Sequence, residues 1–253
     1  MKKTFLNYNK ATITTMVQAD NPDRIKELID KSLPLGAEAF GMQFEKMKPE
    51  FRNKETYKEL FSYCDKPIYV TNYRKSKNVE KSDDVLAEEL LELADCGATL
   101  CDVMGDMFDQ QPDELATCEK AIEKQMKLID ELHKKGAEVL MSSHVLKYTP
   151  AERVLEIALE HQRRGVDIAK IVTGADNMEQ QLENLKIVNL LKENLKIPFL
   201  FLAGGESRIL RRIGGELGCC MYLTVYEYDE LATASQPLLK DIKTIRSVFN
   251  NEL

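Results

Sequence analysis

The chain has 253 residues, 43% of them hydrophobic and 30% charged, which is enough for one sizeable core. A formal net charge of -7 excludes the basic footprint of a nucleic-acid binder, and no stretch approaches the roughly 20 apolar residues of a membrane span. The basic start Met1-Lys2-Lys3 lacks an apolar signal core, and six cysteines without a Cys-x-x-Cys pair read as reduced core residues, so a cytoplasmic chain is expected.

Strand-like and helix-like stretches alternate along the chain. Thr12 to Val17 is a β-branched run, and Asn21-Pro22-Asp23 caps a helix to Leu33. Strands follow at Ala37 to Phe44 and Pro67 to Thr71, with a helix from Lys54 to Tyr63 between them. After a polar loop from Arg74 to Lys81 come a helix from Asp83 to Ala94 and a strand from Ala98 to Val103. A long helix is predicted from Asp113 to Lys135, ended by Gly136. The next strand starts at Glu138 and ends in Ser142-Ser143-His144. Thr149-Pro150-Ala151-Glu152 then predicts a helix to Arg164, with Thr149 as N-cap and Pro150 at the first helical position. Asp167 to Val172 is a strand, apolar after its first residue except for Lys170. A helix from Asn177 to Lys196, a strand from Pro198 to Leu202, a short helix from Ser207 to Gly214, a strand from Cys219 to Tyr226 and a helix from Pro237 to Phe249 complete the chain. Eight short apolar strands, each followed by a helix, predict a (β/α)8 TIM barrel in a single domain spanning residues 1–253. Gly204-Gly205 and Gly214-Gly215 lack the spacing of a dinucleotide-binding fingerprint.

A barrel of this kind carries its site at the C-terminal strand ends. Gln43, Asn72, Tyr73, Arg74, Asp102, His144, Lys170, Arg208, Arg211, Arg212, Thr233, Ser235 and Gln236 fall there. A lysine inside an apolar strand needs a task or a partner. As a reacting group, a neutral Lys170 amine attacks a ketone, and His144 serves as the acid and base beside it. As a structural group, Lys170 pairs with a carboxylate such as Asp102 across the barrel. Taken as an unpaired buried amine, its removal leaves the fold intact or more stable. The arginines between 208 and 212 are either carboxylate binders or a solvated helix face, and Gln236 is either a ligand contact or an N-cap. His133 and His161 lie in charged helical stretches and read as surface residues. With His144 the one strand-end histidine, no metal site is expected.

These residues carry a resemblance. The chain resembles the type I 3-dehydroquinate dehydratases, the Schiff-base dehydroquinases of the shikimate and quinate pathways, most clearly from residue 98 onward. Val139 to His144 followed by Thr149-Pro150 is similar to the family's S-x-H strand with its downstream T-P. Ile168-Ala169-Lys170-Ile171 is similar to its lysine strand, and Arg212-Ile213-Gly214-Gly215-Glu216 to its R-x-x-G-E stretch. Ser207-Arg208 matches the family's S-R pair literally, at a different spacing to Gly215-Glu216. The resemblance implies that Lys170 is the Schiff-base lysine, His144 the general acid/base and Arg212 the carboxylate-binding arginine. Gln236, Gln43, Arg74, Tyr73 and Thr233 complete the implied substrate shell. It also implies a lyase of aromatic amino acid biosynthesis with a small-molecule substrate, no cofactor and a homodimeric state.

The shell departs from the family's pattern. Gly41-Met42-Gln43 stands where the family has E-x-R. Tyr73 and Arg74 compete for the arginine after the third strand, and no E-G-G follows. Ala232-Thr233-Ala234-Ser235-Gln236 replaces S-A-P-G-Q. Three readings follow: a divergent dehydroquinase, another Schiff-base lyase or aldolase acting on a related hydroxy-keto acid, and a barrel that binds a metabolite without catalysis.

Overall fold

A computed structural model describes residues 3–6, 10–205 and 208–250. Its strands are β1 Thr12–Val17, β2 Ala39–Gln43, β3 Ile68–Thr71, β4 Leu100–Met104, β5 Glu138–His144, β6 Ile168–Thr173, β7 Phe199–Ala203 and β8 Met221–Thr224. Its helices are α1 Pro22–Ser32, α2 Lys54–Ser62, α3 Asp83–Asp95, α4 Glu119–Lys134, α5 Ala151–Arg163, α6 Met178–Asn194, α7 Leu210–Leu217 and α8 Leu239–Phe249. The strands form one sheet in the order β7-β6-β5-β4-β3-β2-β1-β8 with parallel neighbours. The Cys220 amide donates to the Phe199 carbonyl, which brings the start of β8 back beside β7. The architecture is the predicted single-domain (β/α)8 barrel.

The strands are apolar runs because both faces are covered, one by the helices and one by the barrel interior. The helices present one apolar stripe inward. In α5 this stripe is Val154, Ile157, Ala158 and His161, at helical spacing. Asn21, Asn53, Ser82 and Asn177 each cap a helix by accepting a backbone N–H. Among the described residues no helix is long and apolar enough to cross a membrane.

Three sequence expectations are corrected. The fourth helix starts at Glu119, so residues 113–118 belong to the loop after β4. Thr149 does not cap α5: its hydroxyl donates to the Lys147 carbonyl, Pro150 is extended, and the helix begins at Ala151. His161 is fully buried, because the α5 stripe points it at the sheet. Ser207, predicted to open the seventh helix, lies outside the described residues. Among those described, the non-glycine residues with positive φ are Ser76, Phe108, Glu114 and Leu146. All four sit in the loops after β3, β4 and β5, at one end of the barrel, where backbone strain accompanies function.

Candidate active site

Side chains that alternate along a strand put every second residue inside the barrel. Register places Ser142 of β5 beside Lys170 of β6, and Met16 and Tyr69 on either side of Gly41. Gly41 has a steric task. A Cβ there would come within 2.2 Å of Met16 Sδ and 3.1 Å of a Tyr69 ring carbon, so glycine makes room for both. Tyr69 thereby crosses the interior. Lys170, 4% exposed, has its Nζ 2.8 Å from the Tyr73 hydroxyl, 3.0 Å from the Tyr69 hydroxyl and 3.1 Å from Asp102 Oδ2. Both tyrosine hydroxyls donate to the same Asp102 oxygen, and Ser142 Oγ donates to the other at 2.6 Å. The two readings of Lys170 therefore coexist: it reaches the cavity and it is paired with Asp102. Burial pushes its amine below the ordinary lysine range, against the opposing pull of Asp102. Burial and the Asp102 charge hold both phenols well above the usual tyrosine range.

His144 ends β5 at the mouth of the same interior. Its Nδ1 lies 2.8 Å from Glu114 Oε2, and its backbone N–H donates to that oxygen at 2.7 Å. A carboxylate only accepts, so Nδ1 carries the hydrogen and Nε2 keeps its lone pair. Burial, then the charge of Lys170, pushes the His144 pKa below the ordinary histidine range, while Glu114 opposes both. Glu114 stays below the usual carboxylate range: burial works to raise it, and the bonds from His144 win. Glu114 is itself held. Ser143 Oγ donates to its carbonyl at 2.6 Å and lies 3.0 Å from His161 Nε2. Arg164, whose side chain is fully buried, donates to the carbonyls of Gly105 and Ala116 and to Gln125 Oε1. The loop from β4 to α4 is thus anchored at both ends around Glu114.

A cavity of about 180 Å³ opens over Lys170 and His144. Of the residues named from the resemblance, Gln43, Tyr73, Thr233 and Gln236 line it, and so do Lys75, Arg211 and Ser235. The amide of Gln18 bridges Gln43 Oε1 at 2.6 Å and Thr233 Oγ1 at 2.8 Å, which locks two of the liners. Gln236 Oε1 is buried with no hydrogen-bond partner among the described residues. Lys75 lies 4.8 Å from the Tyr73 ring centroid and 3.9 Å from buried Glu45.

Two implied residues fall elsewhere. Arg212 is exposed on α7 and, among the described residues, donates to the Arg208 carbonyl at 3.3 Å. Its neighbour Arg211 is 9% exposed, lines the cavity and donates from Nε to the Ala203 carbonyl at 3.0 Å. One residue along a helix turns the side chain by about 100°, so the two arginines cannot share a face. Burial, then Arg208, pushes the Arg211 pKa down to about 10. Arg74 turns away to Asp83 at 2.6 Å and Asp106 at 2.8 Å, and it does not line the cavity. Sequence reasoning missed Tyr69, Glu114 and Lys75 as site residues. Tyr69 carried a signal, a tyrosine two residues before the end of an apolar strand. Glu114 carried none, because it meets His144 across 30 residues of chain. Among the described residues no three His, Cys, Asp or Glu side chains gather as metal ligands. A larger hollow of about 390 Å³ opens at the opposite end of the barrel, beside Lys10 and Pro198, away from these groups.

Fold and site together define a class first: a (β/α)8 barrel with a buried lysine and a carboxylate-held histidine at the C-terminal mouth. A family model described as type I 3-dehydroquinase matches residues 13–252, and the chain belongs to that family. The 3-dehydroquinate dehydratase of Alkaliphilus oremlandii is 35% identical over 92 residues, 36% of this chain and 36% of that enzyme. The Listeria innocua 3-dehydroquinate dehydratase is 23% identical over 212 residues, 82% of this chain and 77% of that enzyme. The alignment to the Listeria monocytogenes enzyme spans 48% of its length. Among solved structures, the 3-dehydroquinate dehydratase of Geobacillus kaustophilus superposes with a TM-score of 0.83 at 15% identity, over 99% of this chain and 96% of that one. The type I enzyme of Clostridium difficile gives 0.79 at 18% identity, over 96% and 94%. At such identities the structural likeness is one of fold.

Proposed function

We propose that this chain dehydrates 3-dehydroquinate to 3-dehydroshikimate through an imine on Lys170. The observation that carries the reading is Lys170 itself, a buried amine at the floor of a cavity with His144 at its lip. In its neutral form the Nζ lone pair attacks the ketone carbon, the carbinolamine hydroxyl takes back the proton that the ammonium gave up and leaves as water, and an iminium forms. The iminium draws electrons from the adjacent C–H bond. His144 Nε2 takes that proton, and the C–H electron pair becomes the enamine double bond. The protonated His144 then hands its proton to the β-hydroxyl, which leaves as water. Hydrolysis of the conjugated iminium frees the enone and restores Lys170. Glu114 steadies the imidazolium and fixes its tautomer. Arg211 takes the role that the resemblance gave to Arg212: it is the arginine that lines the cavity, suited to a two-point hold on the substrate carboxylate. Gln236 offers its unpartnered oxygen to a substrate hydroxyl.

A second reading has an observation of its own. Met16 and Tyr69 line the cavity, and Gly41 stands where the family's E-x-R pattern has its acidic residue, which favours a less hydroxylated keto acid on the same imine machinery. A cytoplasmic location, supported by the unpaired cysteines, and a homodimeric state, supported by the resemblance, belong to the proposal; sedimentation of the purified chain tests the dimer. The activity test is the ultraviolet rise of the conjugated enone when the protein is given 3-dehydroquinate. The dehydratase reading expects that rise with the wild type and none with Lys170→Met. A folded wild type that leaves 3-dehydroquinate unchanged while processing a simpler hydroxy-keto acid moves the assignment to the second reading.

A further inference from the structure

Imine formation sets two proton tasks that the carbon chemistry does not. The ammonium must lose a proton before it attacks, and the carbinolamine hydroxyl must gain one before it leaves. Among the described residues, His144 has no hydrogen bond to Lys170, and its Nδ1 is engaged by Glu114. The amine is met instead by Tyr73 at 2.8 Å, nearer than Asp102 itself at 3.1 Å, and the Tyr73 hydroxyl in turn donates to Asp102. Tyr73 follows the end of β3 at the barrel mouth and lines the cavity, its ring edge-to-face with His144 at 5.2 Å. Tyr69 makes the same pair of contacts from within the strand, farther from the amine at 3.0 Å. Ser142 holds the second Asp102 oxygen, so the carboxylate is fixed for exchange with the phenols.

We propose that Tyr73 is a catalytic residue, the proton relay between Lys170 and Asp102 during imine formation. The inference rests on the imine reading above. In the first step a proton passes from the ammonium through the Tyr73 hydroxyl to Asp102, leaving a neutral amine and a neutral acid. The nitrogen lone pair then forms the N–C bond as the C=O π bond breaks, and the alkoxide takes a proton from nitrogen. In the last step Tyr73 gives its proton to the carbinolamine hydroxyl while taking one from Asp102. The C–O bond breaks, water departs, and the nitrogen lone pair becomes the C=N bond. The sum is Lys–NH3+ plus ketone giving Lys–NH+=C plus water, with Asp102 an anion again. Tyr73, implied by the resemblance as a substrate contact, thus acts on the amine.

The test is the rate at which borohydride traps the Lys170 adduct, followed by intact mass after rapid mixing with 3-dehydroquinate. Tyr73→Phe keeps the ring and removes the relay. Its trapping rate is expected to fall by about 100-fold, while exchange of the substrate α-hydrogen with deuterated solvent, measured per imine formed, stays at the wild-type value. Trapping at the wild-type rate overturns the proposal. A wild type that yields no adduct fails the imine reading itself and takes the relay with it, a result separate from any loss seen only in the variant. Should Tyr73→Phe not fold, Tyr73→difluorotyrosine decides. It keeps both hydrogen bonds but is a stronger acid, so the alkaline limb of the trapping rate is expected to move to lower pH. An unmoved limb means that the hydroxyl only packs, and it overturns the relay.

Discussion

Three acceptors surround the Lys170 ammonium, and one of them, Asp102, is an anion. That changes the sign of a stability expectation. An unpaired buried amine is a burden whose removal helps the fold; a paired one leaves Asp102 buried and uncompensated when it goes. Lys170→Met is therefore expected to abolish turnover and to lower stability by about 1–3 kcal/mol in urea unfolding, the hydroxyls of Tyr69, Tyr73 and Ser142 offsetting the rest. A gain in stability would contradict the pairing. The two adjacent arginines separate as cleanly. Arg211→Leu is expected to raise KM by about 10–100-fold, from loss of a charge-assisted two-point hold, whereas Arg212→Ala stays within about twofold of wild type because it lies in solvent. The reverse pattern would restore the motif-based choice of Arg212. The motif and the cavity single out different arginines for a geometric reason. Motif spacing counts residues, and on a helix a shift of one residue moves a side chain from the cavity to the surface.

At the scale of elements, the loop joining β4 to α4 does the most for the site. It carries Glu114 at φ 49 and is pinned from below by Arg164 and Gln125. Glu114→Gln keeps the size and removes the charge that raises the His144 pKa. The base then titrates lower, so the acidic limb of kcat/KM is expected to move to lower pH. At the same time kcat is expected to fall by about 10–100-fold, because a weaker, looser base removes the proton. Unchanged pH dependence would show that another group orients His144. This loop was not legible in the sequence. Residues 113–118 read as the first turn of a helix, and nothing in the local pattern marked Arg164 as their anchor. Their actual roles come from contacts between β4, α4 and α5 that no local pattern encodes. The strand elements were legible, because a parallel strand covered on both faces is a short apolar run, and Lys170 and His144 stood out as its interruptions.

For the whole molecule, the eightfold count followed from alternation alone, and the barrel then placed Lys170, His144, Gln43, Thr233 and Gln236 around one mouth. The same architecture buries His161 against β5, where burial, then Arg164, pushes its pKa down to about 3 from the ordinary 6.5. Between those values the unfolded chain binds a proton on this histidine and the folded chain does not. Its contribution is complete above pH 6.5 and drains away as the pH falls toward 3, on the order of 5 kcal/mol across the window. Urea midpoints of wild type and His161→Gln, compared near neutrality and at about pH 4.5, check this. The wild type is expected to lose more, and equal losses would contradict the burial account. The central claim is a covalent bond at one nitrogen, and intact-mass measurement after 3-dehydroquinate and borohydride tests it most directly. The account predicts one reduced adduct per chain, mapped by peptide fragmentation to Lys170 and missing in Lys170→Met. A folded wild-type chain that keeps its unmodified mass would contradict it.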